Sequence, residues 1–520
     1  MKRALNLVLV MTFLVPSTFA QKFRADDPVW VDNDAAVDVK TIAKHKLNDH
    51  YDFLLHTFKK PGDRTLIPAM NANTLGEVPD SSWFQNRHAR TRMTIEDLVR
   101  GPNTGPGPSM NDQWTVIAAK TEGITPGFRI RDSRGHVYFI KFDPPQNPEM
   151  ATAAEVISTK FFHALGYNVP ENYLAFFTRG QLRVDGKAMM TDDTGRERRL
   201  TESDLDGILK RVHRSDEGLY RAVASKQVHG APLGPFQYYG TRSDDPNDIF
   251  PHEHRRELRG LRVISSWLNH DDSRAINTLD VLAGDPGRRF VRHYLIDFGS
   301  TLGSGSVSAQ KPRAGWEYMW EPETALKRIA TLGLWDKKWI RVDYPNHSAV
   351  GRFESQSFEP QNWKPEYPNP AFLNATDEDS YWAAKMVMSF TNDEIRAIVK
   401  EGQYSDPQAE KYVADTLIER RDKIGRYWFS RTSSFDNFTF EDGELRFDHL
   451  ASQFDFSRRP DPCGEWFIFD PASGTRRPYA DEEVPESGTF SQVDITSAEG
   501  KVSVYLRHSD RGAAIVGIER

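Results

Sequence analysis

The sequence predicts an α+β fold with a strand-rich part, then a mostly helical part, then a small C-terminal β domain. Residues 111–235 contain short apolar runs bounded by turn residues, which is typical of strands. Residues 236–440 place apolar side chains at helical spacing, whereas residues 441–520 are polar and strand-like again. With 520 residues and 38% hydrophobic content, the chain can bury one large core or two to three smaller ones.

Residues 1–20 have the pattern of a secretory signal peptide. Lys2 and Arg3 precede an apolar run over residues 4–15, and small residues lead up to Ala20. The alternative is an uncleaved membrane anchor, but the run is shorter than the ~20 apolar residues that a span needs. We therefore expect cleavage after Ala20 and an exported mature protein that is periplasmic or secreted.

The composition narrows the class of protein further. A single cysteine, Cys463, excludes an intramolecular disulfide bond, so packing must stabilise the exported chain. The net charge of −7 gives a nucleic-acid partner no electrostatic support. After signal cleavage no segment is long and apolar enough to predict a membrane span. Residues 21–110 are interpreted as an N-terminal extension that packs over the next domain.

The strand-rich part is expected to begin with three strands and a helix. The strands are predicted over residues 114–120, 128–131 and 137–142, with turn residues between them. A helix is predicted over residues 149–165, with its apolar positions on one face and Gly166 as its stop.

Lys141 lies inside the third predicted strand, among aromatic and aliphatic residues. A lysine at an inward strand position needs a partner, because an isolated buried charge is too costly. Glu155, in the middle of the following helix, and the phosphates of a nucleotide are the proposed partners. A solvent-facing strand lysine is the alternative.

Gly123 and Gly127 belong to the segment that joins the first two predicted strands. Backbone N–H groups of such a loop can fold over phosphates, so both glycines are candidates for cofactor binding. The segment does not have the G-x-G-x-x-G pattern, and an ordinary hairpin loop is the alternative.

The segment after the predicted helix over residues 254–268 carries the main catalytic candidates. Asp272 is followed two residues later by Arg274 and five residues later by Asn277. One carboxylate at this position can orient a nucleophile, and a nearby cation can neutralise charge on a transferred phosphoryl group. The alternative for Asp272 is a helix cap.

Asp297 ends an apolar strand predicted over residues 293–297 and is followed by Phe298 and Gly299. An amide oxygen and a second carboxylate are the ligands that Mg²⁺ needs beside a transferred phosphate. Asn277 and Asp297 are therefore predicted to hold the metal. A simple β-turn after a core strand is the alternative for Asp297.

This set of residues resembles the atypical protein-kinase-like superfamily, nearest to HipA-type, CotH-type and secretory-pathway kinases. HipA-type loops read N-x-D-x-H-x-x-N, and residues 269–277 read N-H-D-D-S-R-A-I-N. Arg274 departs from the histidine of that pattern. The resemblance covers roughly residues 114–430, and it implies a β-rich small lobe (residues 111–235), a mostly α large lobe (236–440) and ATP in the cleft between them.

The expected function is an exported, Mg²⁺-ATP-dependent phosphotransferase that acts on a protein or an envelope-glycan hydroxyl. Lys141, Asp272 and Arg274 are the catalytic candidates, and Lys141, Glu155, Gly123 and Gly127 are the nucleotide-binding ones. Two alternatives stay open. One is an AMP transferase on the same fold, and the other is a pseudokinase or envelope-binding protein without turnover.

Overall fold

The computed structural model describes residues 23, 35–119, 126–192, 195–332, 337–479 and 485–520. The predicted signal peptide and Gly123 lie outside these ranges. The described residues form a mixed α and β structure with one large sheet, which confirms the predicted α+β class. Each helix in these ranges is too short or too polar to cross a lipid bilayer.

The N-terminal extension contributes two short helices to the described part of the chain. Helix α1 (Asp49–Leu54) continues into a π-type turn (Leu55–Lys59), and α2 (Ile95–Arg100) follows. The Thr94 side chain caps α2 by accepting a hydrogen bond from the backbone N–H of Asp97. Further residues of the extension, including Trp83 and Phe84, are buried in the helical core.

The large sheet has the strand order β4-β7-β3-β2-β1-β5-β6 among the described residues. Its third strand matches the predicted bounds, and Tyr138, Ile140 and Phe142 alternate onto its buried face. The elements of this part are β1 (Trp114–Ala119), β2 (Gly127–Arg131), β3 (Val137–Phe142), α3 (Met150–Ala164), β4 (Asn172–Phe177), β5 (Leu182–Thr191), β6 (Glu197–Arg199), α4 (Glu202–Leu209) and β7 (Tyr220–Lys226).

The next part combines a three-stranded sheet with helices. Its elements are β8 (Ala231–Gly234), α5 (Arg256–Leu268), β9 (Thr278–Ala283), β10 (Phe290–Leu295), α6 (Pro322–Ala330), α7 (Pro370–Leu373), α8 (Asp377–Met388), α9 (Asn392–Lys400) and α10 (Pro407–Phe429). Strand β8 pairs with β9, so this sheet crosses the predicted boundary at residues 235 and 236.

The C-terminal part is built mainly of antiparallel strands. It contains β11 (Phe435–Glu441), β12 (Glu444–His449), α11 (Leu450–Gln453), β13 (Cys463–Phe469), β14 (Arg476–Pro478), β15 (Phe490–Ser497), β16 (Gly500–Ser509) and β17 (Gly512–Glu519). Five of these described strands form one sheet in the order β14-β13-β15-β16-β17. Val493, Val502 and Leu506 lie in its own small core.

Two separate apolar cores meet near the candidate site. One lies under the large sheet and includes Phe128 and Phe142, whereas the other is helical and includes Phe161, Trp267 and Phe298. Helix α3 belongs to the helical core, although the chain reaches it directly from β3 of the sheet. This arrangement brings a strand residue and a helix residue from different cores to one cleft.

Candidate active site

Lys141 joins the sheet to the rest of the candidate site. Its Nζ lies 3.3 Å from both carboxylate oxygens of Glu155 and 2.9 Å from Oδ1 of Asp297. Burial alone would lower the pKa of Lys141, but these two carboxylates outweigh it and raise this pKa above its ordinary value. The lysine is therefore a fixed positive charge at the inner end of the cleft.

Glu155 is buried in the middle of α3, as the sequence predicts. Besides Lys141, it contacts the side-chain amide of Asn172, whose Nδ2 donates to Oε1 over 3.2 Å. Burial raises the pKa of Glu155, and Lys141 acts in the opposite direction. Asn172 begins β4, so strand and helix together fix the direction of this carboxylate.

The two predicted metal ligands are brought together by the hairpin of β9 and β10. The strands are antiparallel, and Thr278 stands opposite Leu295 in the ladder. The backbone N–H of Ile296 donates to the carbonyl of Asn277 over 3.0 Å, which extends the pairing by one step. Asp297 is the next residue, so Asn277 and Asp297 meet at the open end of the hairpin although they are distant in sequence.

Asp297 has a left-handed backbone with φ 64° and ψ 65°. A non-glycine residue in this region costs about 1–3 kcal/mol, and such residues cluster at functional sites. The adjacent Phe298 holds the turn in place, because its buried ring stacks on Phe162 of α3 at 4.6 Å and lies 5.9 Å from the ring of His270. The turn after β10 is thus packed directly on the helix that carries Glu155.

Asp272 and Asn277 are joined in a way that orients the asparagine. Nδ2 of Asn277 donates to the backbone carbonyl of Asp272 over 2.8 Å. With its nitrogen used in this bond, the amide has Oδ1 as its acceptor for a metal ion. Burial raises the pKa of Asp272 to about 6, while Arg274 acts to lower it. That value suits a group that accepts a proton near neutral pH.

Asp271, the neighbouring carboxyl group, has a different environment. Its Oδ1 accepts a hydrogen bond of 2.8 Å from Nε2 of Gln310. Burial, with Glu366 and Asp272 nearby, raises the pKa of Asp271 well above its ordinary value. This shift favours the protonated form of Asp271, so Asp272 is the better candidate for a base.

Arg274 forms ion pairs with three carboxylates. Its Nε pairs closely with Oδ1 of Asp272 and lies 3.5 Å from Oε2 of Glu366, and its Nη1 lies 3.1 Å from Oδ1 of Asp49. Burial would lower the pKa of Arg274, but these carboxylates raise it. Neither Asp49 nor Glu366 could be predicted from the sequence, because no motif links them to the loop.

The cleft beside Lys141 has a volume of about 260 Å³. Its lining consists of Lys141, Phe142, Ala151, Thr152, Glu155, Val223, Asp297, Gly299 and Ser306. Ser306, which the sequence analysis did not single out, is thus a further residue of the site.

Gly127 is a strand residue and not part of a loop. It is the first residue of β2 and stands opposite Lys141 in the ladder, and Val223 of β7 stands opposite Lys141 on the other side. Gly127 therefore lies beside the cleft. Residues 120–125, which include Gly123, lie outside the described residues.

The predicted residues converge on one region of the described structure. Lys141 contacts Glu155 and Asp297 directly, and Asn277 connects the end of the same hairpin to Asp272. Arg274 belongs to this set through its ion pair with Asp272.

No protein-family model matches the sequence, and no curated protein does. Among solved structures, the chain is similar to a Helicobacter pylori proinflammatory kinase, CtkA, at 12% identity and a TM-score of 0.31, over 60% of this chain and 98% of that one. It is also similar to the Golgi casein kinase at 9% identity and a TM-score of 0.30, over 64% of this chain and 76% of that one. The Golgi casein kinase with Mn/ADP bound gives 8% identity and a TM-score of 0.27 over the same shares. At these identities and TM-scores, the similarities establish no family for this chain.

Proposed function

We propose that the chain is a Mg²⁺-ATP-dependent phosphotransferase with a two-lobed, kinase-like fold. The large sheet with its own core forms the small lobe, and the helical core forms the large lobe. The strands that follow α10 add an accessory β domain. The nucleotide phosphates enter the cleft between the lobes.

One observation carries this proposal: Lys141 contacts Glu155 and Asp297 at once. The three residues come from a strand, a helix and a hairpin end, and the contacts span 14 and 156 positions of sequence. This lysine has two carboxylate partners and also lines an open cleft. A phosphate group that enters the cleft can take the place of one carboxylate as its partner.

The oxygen ligands at the hairpin end fit Mg²⁺. Asn277 offers an amide oxygen and Asp297 a carboxylate, and a magnesium ion takes one or two such ligands together with water and phosphate oxygens. When bound, the ion would supply positive charge to the phosphates. Lys141 holds those phosphates, and Glu155 keeps the lysine in position.

Asp272 is assigned to the acceptor hydroxyl. In its ionised form it accepts a hydrogen bond from the hydroxyl, orients it toward the phosphorus and takes its proton. Arg274 holds the Asp272 carboxylate in place and adds positive charge beside it. Because Arg274 pairs with Asp272, we assign it a positioning role toward that carboxylate in addition to contact with the phosphoryl group.

The export of the protein and its acceptor are part of the same proposal. The pattern of residues 1–20 supports export to the periplasm or beyond, and the acceptor is a hydroxyl of a protein or an envelope glycan.

The test is transfer of label from ATP to an envelope extract, with γ-labelled and α-labelled ATP compared. Phosphotransfer predicts label from γ-labelled ATP only, and Asp272→Ala is expected to abolish it. Label from α-labelled ATP would instead identify AMP transfer. If neither label is transferred and the protein binds no nucleotide, the protein is a non-catalytic binding protein.

A further inference from the structure

An exposed apolar surface lies beside the ion pairs of Arg274. Its first part comes from α1 and the π-type turn that follows. Tyr51, Leu54 and Phe58 are spaced three and four residues apart, so they project from one side of this helical stretch. All three are exposed, and Phe58 is 64% exposed.

The second part of the surface comes from α6 and the residues before it. Leu326 and Ile329 lie on one face of the helix, which has no buried residue of its own. Trp320, two residues before the helix, is also exposed. An amphipathic helix usually buries its apolar face against its own protein, so an uncovered face indicates a partner.

The two parts of the surface meet, and both are connected to Arg274 in the loop of residues 269–277. The rings of Phe58 and Trp320 lie 6.4 Å apart. On one side, Asp49 of α1 pairs with Arg274 at 3.1 Å. On the other, the backbone N–H of Met319 donates to the carbonyl of Glu366 over 2.6 Å, and the carboxylate of Glu366 lies 3.5 Å from Arg274. The surface therefore borders the residues that would handle the acceptor hydroxyl.

Exposed basic residues accompany this apolar surface. Lys59 and Lys60 end the π-type turn, and Lys327 and Arg328 lie on the polar face of α6. Within the described ranges of the chain, none of these four side chains forms an ion pair. Their uncompensated charge favours a partner that carries carboxylates.

We infer that this surface docks a polypeptide acceptor whose target hydroxyl is flanked by apolar side chains and by aspartate or glutamate. The inference rests on the proposed phosphotransfer and narrows its acceptor to protein. The exposed aliphatic side chains and the basic residues beside them together match a peptide, which brings apolar groups, carboxylates and a hydroxyl in one chain. The docking surface consists of Tyr51, Leu54, Phe58, Trp320, Leu326 and Ile329.

A degenerate peptide library with one fixed serine tests this surface. The library is retained on immobilised mature protein in the presence of Mg²⁺-ADP, and the retained peptides are sequenced. The variant is Ile329→Ser, at a residue that is 70% exposed, and the matched control is Ile249→Ser, at a residue that is 62% exposed in a turn before α5. Thermal unfolding of each protein with and without Mg²⁺-ATP is measured in parallel.

The parent and Ile249→Ser are expected to select apolar and acidic residues next to the serine. Ile329→Ser is expected to bind the selected peptides about tenfold more weakly, as for the loss of one buried aliphatic side chain. Its thermal shift with Mg²⁺-ATP should equal that of the parent. Peptide selection without any nucleotide shift in the parent would support the docking surface and contradict the proposed phosphotransfer.

Three results would overturn the docking surface. The first is equal peptide binding by the parent and Ile329→Ser, and the second is a preference for basic or uncharged polar residues. The third is the absence of peptide selection. In that case the same variants are used to test two other occupants of the surface. Binding to phosphatidylglycerol vesicles that Ile329→Ser abolishes would assign it to a membrane, and loss of self-association in sedimentation would assign it to a second copy of the chain.

Discussion

At the residue scale, Lys141 places one positive charge between Glu155 and Asp297. Replacing it by methionine removes a preorganised donor to the phosphates, and losses of about 10²–10³ in turnover are typical of such changes. We expect a fall of that size in kcat/KM for transfer from γ-labelled ATP. The control is Lys226→Met in the neighbouring strand β7, where the lysine pairs with Glu171 at 2.8 Å outside the cleft lining. An equal loss in both variants would contradict the role of Lys141.

A second residue-scale prediction concerns the pH dependence of transfer. The pKa of Asp272 is raised to about 6, and the ionised form is the one that accepts a proton. The value of kcat/KM for the parent should therefore rise with pH through about 6 and level off above it. Below that pH it should fall about tenfold per unit. A profile that stays flat across this range would show that Asp272 is not the base.

Part of the site could be predicted from the sequence, because the residues concerned lie in two short segments with recognisable spacing. Asp272, Asn277 and Asp297 were recognised from their spacing and from the apolar strand before Asp297, and the structure places them together. Asp49 and Glu366 could not be found in this way. Asp49 is 225 positions from Arg274, and its contact depends on the path of the whole N-terminal segment.

At the element scale, the N-terminal segment over residues 37–58 lies as a strap against the sheet of β8, β9 and β10. The backbone N–H of Val39 donates a hydrogen bond to the carbonyl of Arg289 over 2.9 Å, and the N–H of His45 donates to the carbonyl of Leu233 over 2.6 Å. Gly234 makes the second contact possible. It has φ +98°, and a Cβ atom at this position would lie 2.0 Å from the carbonyl oxygen of His45. The strap therefore needs a glycine here in order to reach Arg274.

Gly234→Ala is predicted to release the strap. Gly240→Ala is the matched control, because this glycine also has a positive φ, +64°, but a Cβ atom added there would meet nothing within 4 Å. The control should lose about 1–2 kcal/mol from the left-handed backbone alone. Gly234→Ala should lose more, and proteases should cleave the strap faster, as measured by limited proteolysis with mass spectrometry. Equal cleavage rates in the two variants would contradict the prediction.

The long, periodic elements were the ones that the sequence predicted well. Strand β3 and helices α3 and α5 lie within two residues of their predicted bounds. Helix α8 begins at Asp377, where the Thr376 side chain caps it by accepting a hydrogen bond from the backbone N–H of Asp379. The order of the strands in the large sheet was not predictable, since β4 and β7 pair through contacts that no local pattern records.

At the scale of the whole molecule, the C-terminal sheet is joined to the helical core by a buried ion cluster. Asp436 lies 3.1 Å from Lys385 of α8 and 3.0 Å from Arg520, which directly follows β17. Burial would raise the pKa of Asp436, but these two cations outweigh it and lower the pKa to about 2. The folded-state pKa is thus below the unfolded value of about 3.9.

Asp436→Asn is predicted to destabilise the protein by about 2–3 kcal/mol, because it removes the ionised carboxylate whose pKa the two cations lower. Lys385 keeps its second partner, Glu77, at 2.8 Å. The parent has this stabilisation in full above the unfolded pKa and loses it as the pH falls from about 4 toward 2. The variant should lack that part of the acid dependence. Urea unfolding over a pH series measures both effects, and the same acid dependence in parent and variant would contradict the assignment.

We propose that Lys141, Asn277 and Asp297 form a Mg²⁺-nucleotide site, and thermal unfolding with Mg²⁺-ATP tests this claim. The parent at a ligand concentration 100 times the dissociation constant should gain about 2.7 kcal/mol of apparent stability. Asp297→Ala should gain almost none, whereas Asp285→Ala, at the closed end of the same hairpin, should behave like the parent. No gain in the parent, or an equal gain in Asp297→Ala, would contradict the claim.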